Sequence, residues 1–297
     1  MQIRKAERRK AKLRLGIAAP SGAGKTYSAL LMAFGLGGKI GLIDTEHGSG
    51  DLYAHLGEYD VISIEAPYTV AKYVQAIHAF EEAGYSTIII DSLSHAWAGD
   101  GGLLDKQGKM ADRGTNSFAA WRTITPEHNN LVDTMLRSPA HIIATMRAKQ
   151  EYVLETNDRG KQQPKKVGMA PVQREGMEYE FTVMLDVDMN HVASASKDRT
   201  SLFDGRFFKI GKETGEELLQ WLETGVEAPV RVAADGLDDS PQARALRITA
   251  GVNNGDAVGA AAAMAGWPDD LRDAVWAHLA DDTRDALTSV WPETVDA

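Results

Sequence analysis

The chain has 297 residues, 43% of them hydrophobic and 25% charged, with no cysteine and a formal net charge of −10. Without cysteine there is no disulfide framework, thiolate metal site or thiol nucleophile. The lack of a long uncharged apolar run or a signal peptide points to a protein of the cytoplasm with no membrane partner. The charge is uneven, since residues 227–297 hold 13 Asp/Glu against 5 Lys/Arg, a net of −8, which leaves −2 for residues 1–226.

Residues 1–14 form a basic arm with seven Lys/Arg against Glu7. It reads either as a solvated arm or as one that contacts phosphate or a neighbouring subunit. Residues 13–18 (LRLGIA) suit a buried strand and residues 27–36 (YSALLMAFGL) an apolar helix. Between them Ala19, Pro20, Ser21, Gly22, Ala23, Gly24, Lys25 and Thr26 follow the phosphate-loop pattern G-x-x-x-x-G-K-[ST], with Ala19 at its first glycine. Gly22 and Gly24 allow the backbone to turn several N–H groups toward one anion. The start of the helix, where Tyr27 follows, adds partial positive charge. Lys25 would then reach the β- and γ-phosphates of ATP, and the Thr26 hydroxyl its Mg²⁺.

Residues 39–44 (KIGLID) and 61–64 are further strands, and residues 68–83 place Val70, Tyr73, Val74, Ile77 and Phe80 at helical spacing, a core stripe. Residues 86–92 (STIIIDS) form an apolar strand ending in Asp91. Five glycines and no stable period make residues 99–117 a mobile loop. Residues 118–137 read as a helix broken or kinked at Pro126, residues 141–145 (HIIAT) as a strand, and residues 147–174 as a second polar loop. Alternation over residues 181–187, a turn at Met189 and Asn190, and residues 191–197 predict an antiparallel hairpin. A strand at 207–210 and a helix at 213–223 complete the core.

The expected fold is α/β: a mainly parallel sheet with helices on both faces, an antiparallel hairpin at its edge and a small C-terminal helical domain. The expected divisions are the arm (1–14), the core (15–225), a linker (226–241) and an acidic helical domain (242–297) anchored by Trp267, Trp276 and Trp291. Asp91 and Glu46 both end apolar strands, where open α/β sheets bind their ligands. Asp91 suits a Walker B carboxylate beside the Mg²⁺, and Glu46 a general base that orients the attacking water.

With these residues in hand, the chain resembles a RecA-like P-loop ATPase core over residues 13–223. Ile43, Asp44, Thr45, Glu46 and His47, followed by Asp51 and Tyr53, are similar to the RecA segment carrying the catalytic glutamate and an aromatic contact to adenine. Residues 88–92 are similar to its Walker B strand. The resemblance implies that the loops at 99–117 and 147–174 bind single-stranded DNA, with Lys106, Lys109 and Arg113 in the first and Lys161, Lys165, Lys166 and Arg174 in or beside the second. It also implies a ring or filament in which a basic residue crosses to the neighbouring site, the candidates being Arg147, Lys149, Lys197 and Arg199.

Lys197, Asp198, Arg199 and Thr200 are similar to a segment of the small RecA-like ATPases of phages, some of which work with single-strand annealing proteins. This suggests a phage-encoded recombination ATPase in a bacterial cytoplasm, whose C-terminal domain meets an annealing or single-strand-binding protein. A helicase-type motor and a nucleotide-switched adaptor with little turnover are the alternatives.

Overall fold

The structure is a computed structural model that describes residues 5–156, 162–226, 240–253, 257–265, 267 and 269–291. The chain divides into two compact units, Met1–Val226 and Glu227–Ala297.

In the first unit a sheet is built from β1 (Arg14–Ala19), β2 (Ile40–Asp44), β3 (Asp60–Ser63), β4 (Thr87–Asp91), β5 (His141–Thr156), β7 (Val183–Val187), β8 (Ala193–Asp198) and β9 (Phe207–Phe208). The spatial order is β3-β2-β4-β5-β1-β7-β8-β9, and β6 (Gln162–Pro171) pairs with the outer half of β5. Strands β3 through β7 along this order are parallel, while β8 and β9 close the edge antiparallel. β4 shows why these segments are central strands. Ile88 and Ile90 enter the core on one face and Ile89 that on the other, all fully buried, and branched side chains fill a surface covered on both sides.

Helices α1 (Lys25–Leu36) and α6 (Lys212–Leu222) supply residues to one of these cores, with Leu30, Met32, Leu218 and Leu222 buried in it. The other receives α2 (Val70–Glu82), α3 (Leu93–Ala98) and α5 (Ser117–Arg137). α1 and α6 approach closely because Gly35 and Gly215 face each other. A Cβ on Gly35 would lie 2.1 Å from the Lys212 carbonyl oxygen, and one on Gly215 would lie 2.2 Å from that of Met32.

Several segments depart from the sequence reading. The stretch at 99–117 is not a loop throughout, because α4 (Leu103–Asp112) occupies its centre. Leu103 is buried and Met110 packs on the core, the Asp105 carboxylate accepts from the Gly101 N–H at 2.9 Å, and the glycines mostly flank the helix rather than interrupt it. α5 runs unbroken through Pro126. The segment expected as a second polar loop is an antiparallel ribbon, in which β5 continues past the sheet to Thr156 and pairs with β6 from Ala148 to Pro171.

The basic arm folds back on its own unit. Arg8 donates to Thr224 Oγ1 and to the Trp221 carbonyl, both at 2.7 Å, and lies over the Trp221 ring, while Lys10 pairs with Glu223 at 3.0 Å. Arg14 belongs to β1 and is buried, with its guanidinium on the carbonyls of Leu13, Leu136, Ser138 and Ala140.

The second unit contains α7 (Pro241–Asn253), α8 (Ala257–Ala265), α9 (Asp269–Trp276) and α10 (Asp281–Ser289). Ala261, Met264, Val275 and Leu287 form its core, and Trp267, Trp276 and Trp291 pack against it. The expected linker lies almost wholly outside the described residues.

Candidate functional site

Between β1 and α1 the chain turns through Gly22 and Gly24, both in the left-handed region at φ 82° and 84°, where side chains are strained. Ala19 ends β1 in extended backbone, which explains why alanine can stand at the first glycine of the pattern. Gly24 caps α1 without a side-chain hydrogen bond and the first turn carries no acidic residue, so the helix N-terminus presents its N–H groups to an anion. Lys25 lies back over the loop, its Nζ 3.2 Å from the Pro20 carbonyl and 3.4 Å from that of Ala19. Burial pulls its pKa below the usual lysine value, against the attraction of Asp91 and Glu46.

Sheet register gathers the carboxylates. Asp44 and Asp91 are opposite one another at the ends of β2 and β4, and Ala19 is opposite Arg147 on β1 and β5. Asp91 is almost completely buried; its Oδ2 accepts from Thr26 Oγ1 at 2.5 Å and its Oδ1 from the Thr145 hydroxyl. Burial pushes its pKa up, and the two hydroxyls oppose this. Among the described residues no group of three or more His, Asp or Glu side chains could hold a metal by itself. The Thr26–Asp91 pair fits Mg²⁺ differently, as two oxygen donors beside a phosphate cradle, where water and phosphate complete the shell.

Glu46 follows β2 and is partly buried. Its carboxylate accepts from Arg147 Nε at 3.0 Å and Nη2 at 2.6 Å, and from Ser92 Oγ at 2.9 Å. Burial pushes its pKa up, but these hydrogen bonds and the Arg147 charge outweigh it and leave the carboxyl below its ordinary value. Behind it, Thr45 Oγ1 accepts from the Ser92 N–H at 2.9 Å and lies 2.7 Å from Nδ1 of buried His95, whose ring stacks on Tyr68. Asp44, given no role of its own from the sequence, accepts from the Glu46 and Gly50 N–H groups at 2.6 and 3.3 Å and shapes the turn that aims Glu46.

Beside the loop lies a cavity of about 490 Å³, lined by Gly22, Gly24 and the first residues of α1 together with Tyr53, His191, Lys209 and Ile210. Tyr27 and Tyr53 meet edge to face at 5.8 Å and form its aromatic side. His191, Lys209 and Ile210 also escaped the sequence reading, because they come from the far end of the core.

The structure does not bring the basic candidates together. Lys197 and Arg199 lie at the amino ends of the parallel strands, Lys197 pairing with Met184, itself opposite Gly16. Both donate to the Tyr179 carbonyl, at 2.5 and 3.1 Å, so neither approaches its own phosphate loop. Lys149 is exposed at the root of the β5–β6 ribbon. Lys106 pairs with Glu127, and Lys109 with Asp105 at 2.6 Å. Arg113 is exposed at the end of α4, and Arg174 lies over Trp121 with a 3.3 Å hydrogen bond to Thr125. Lys165 and Lys166 stand opposite Val153 and Tyr152 on the ribbon, and Lys161 lies outside the described residues.

A glycine-lined cradle at a helix start, at the carboxyl ends of a mainly parallel sheet, is built for a nucleotide polyphosphate, which makes the first unit a P-loop NTPase core. The family model described as an AAA domain matches residues 11–217, and the chain belongs to that family of nucleotide-binding ATPases. No curated protein matches the chain. Among the described residues no helix is long and apolar enough to cross a membrane.

Proposed function

We propose that this protein is a Mg²⁺-dependent, RecA-like ATPase that acts on single-stranded DNA in phage-type recombination or annealing. The observation that carries the hydrolytic half is the meeting of Lys25, Thr26, Asp91 and Glu46 around one cradle, although they come from three different strand ends. The Thr26 hydroxyl and the Asp91 carboxylate would hold Mg²⁺, which would supply charge neutralisation at the phosphates. Lys25 leaves the loop carbonyls for the β- and γ-phosphates, and the Glu46 carboxylate orients the attacking water and takes its proton.

Support for DNA comes from the ribbon. Arg147, which holds Glu46, is followed two residues later by Lys149, and the returning strand carries Lys165 and Lys166. A polyanion on those lysines would pull on the segment that restrains Glu46. Because Lys197 and Arg199 are remote from their own loop, a basic residue from that pair would act on a neighbouring copy, in a ring or filament. The acidic C-terminal unit is the proposed contact for an annealing or single-strand-binding protein.

The bidentate hold on Glu46 favours one second reading, a nucleotide-switched adaptor with negligible turnover. Steady-state ATP hydrolysis with and without single-stranded DNA, with Lys25→Ala as the blank, separates the two. Turnover stimulated by DNA and absent in the blank is the expected result. Turnover unaffected by DNA, with no DNA binding at low salt, removes the nucleic-acid reading.

A further inference from the structure

The turn between β7 and β8 touches the phosphate loop, although no pattern in the sequence links them. Asp188 holds this turn in shape by accepting from the N–H groups of Asn190 and Val192 at 2.8 and 2.9 Å. His191 follows in the left-handed region at φ 61°, and its Nδ1 lies 3.1 Å from the Ala23 carbonyl of the loop. A carbonyl oxygen only accepts, so Nδ1 is the donor in this contact and Nε2 is the ring nitrogen it does not use. A Cβ built on Gly24 would lie 3.3 Å from the same Nδ1, so glycine there also makes room for the ring. Lys209, between β9 and α6, lines the same cavity from a second segment, beside Ile210.

Resting on the nucleotide reading above, we propose that His191 and Lys209 bind the sugar–α-phosphate part of the nucleotide, His191 Nε2 accepting from a ribose hydroxyl and the Lys209 ammonium facing the α-phosphate. The phosphate loop with Lys25 and the Tyr27–Tyr53 pair line this same cavity. A nucleotide with its terminal phosphates on the loop and its base against the tyrosines joins the two through sugar and α-phosphate, and among the described lining residues His191 supplies a ring nitrogen and Lys209 a cation besides Lys25. The site therefore selects a ribonucleotide over one without ribose hydroxyls.

The test is calorimetric titration of the full chain, with Mg²⁺ present, using ATP and 2′,3′-dideoxy-ATP as probes. The parent protein binds ATP more tightly by about 10- to 100-fold, the range for a hydrogen bond at a polar site. His191→Asn, which tolerates the left-handed backbone and keeps a donor for Ala23, binds both probes equally. Lys209→Ala weakens both by a similar factor and leaves their ratio intact. The ratio is taken within one variant, so a partly unfolded preparation does not mimic the result. A parent that binds both probes equally, or a His191→Asn variant that still discriminates, overturns the assignment while leaving the nucleotide site standing. A parent that binds neither probe overturns both readings.

Discussion

Glu46 and Arg147, 101 residues apart in sequence, are joined by two hydrogen bonds, from Nε at 3.0 Å and Nη2 at 2.6 Å. The guanidinium thus covers both oxygens of the carboxylate proposed to meet water, and Arg147 reaches it because β5 runs parallel beside β4, which pairs in turn with β2, the strand that Glu46 follows. In the structure Arg147 serves its own chain, rather than lying free to cross to a neighbour.

Replacing Glu46 by Gln removes the proton acceptor without removing the phosphate cradle. Turnover is expected to fall by about 10²- to 10⁴-fold, the usual contribution of a general base, with nucleotide affinity retained. Parallel kcat and nucleotide-binding measurements check this; an undiminished kcat would leave Glu46 with no part in the chemistry.

Arg147→Ala shifts the pH profile. Burial drives the Glu46 carboxyl upward, and the Arg147 hydrogen bonds are the largest influence holding it down, followed by the Ser92 hydroxyl and the Arg147 charge. Without Arg147 the carboxyl takes up its proton at higher pH, so the acid limb of kcat moves toward neutrality. A kcat–pH profile of the variant whose acid limb stays in place contradicts this account.

Thr145→Val leaves Asp91 Oδ1 without its hydroxyl partner in a fully buried setting. Since an orphaned buried polar group costs about 1–3 kcal/mol, urea unfolding should show a loss of that size. Thr145→Ser, which keeps the hydroxyl, should recover most of it.

Arg14 ties four backbone carbonyls around the end of α5 and the start of β5. Burial pulls its pKa to about 10, still high enough for the guanidinium to be charged at neutral pH. Arg14→Met is expected to cost at least about 3 kcal/mol, from several unsatisfied carbonyls at once. Lysine, with one point of charge in place of the fork, should not restore it. Chemical denaturation of the two variants measures both effects.

His141 makes stability fall with acidity. Its Nδ1 accepts from the Leu13 N–H at 3.0 Å, and burial, with Lys12 and Arg14 nearby, pulls its pKa from 6.5 to about 4. Below 6.5 the unfolded chain takes up a proton that the folded chain refuses, so this contribution is complete above 6.5 and is lost as pH falls toward 4. The loss amounts to about 3 kcal/mol at the acid end. Urea titrations through this window should show a shallower decline for His141→Gln than for the parent.

The phosphate loop, the strand that Glu46 follows, the strand ending in Asp91 and the edge hairpin were legible because each rests on a local pattern of a few consecutive residues. The second ribbon was not, because its charged residues mask strand alternation that only pairing between Ala148 and Pro171 stabilises. α4 was obscured by the glycines that flank it. His191 and Lys209 reach the cavity by topology: they follow Thr26 by more than 160 residues and have no spacing a motif could capture. The pairing of Arg147 with Glu46 likewise depends on strand order, which places β5 between β4 and β1.

The contact of Gly35 with Gly215 sets a trap for anyone engineering this scaffold. Glycine inside a helix is an obvious target for stabilisation, since alanine there ordinarily gains about 1 kcal/mol. Here a single methyl on either helix would strike the backbone of the other at 2.1 to 2.2 Å and pry apart the pair whose first member begins at the phosphate loop. Neither position accepts a larger residue while the two helices keep this approach, although 180 residues of sequence separate them.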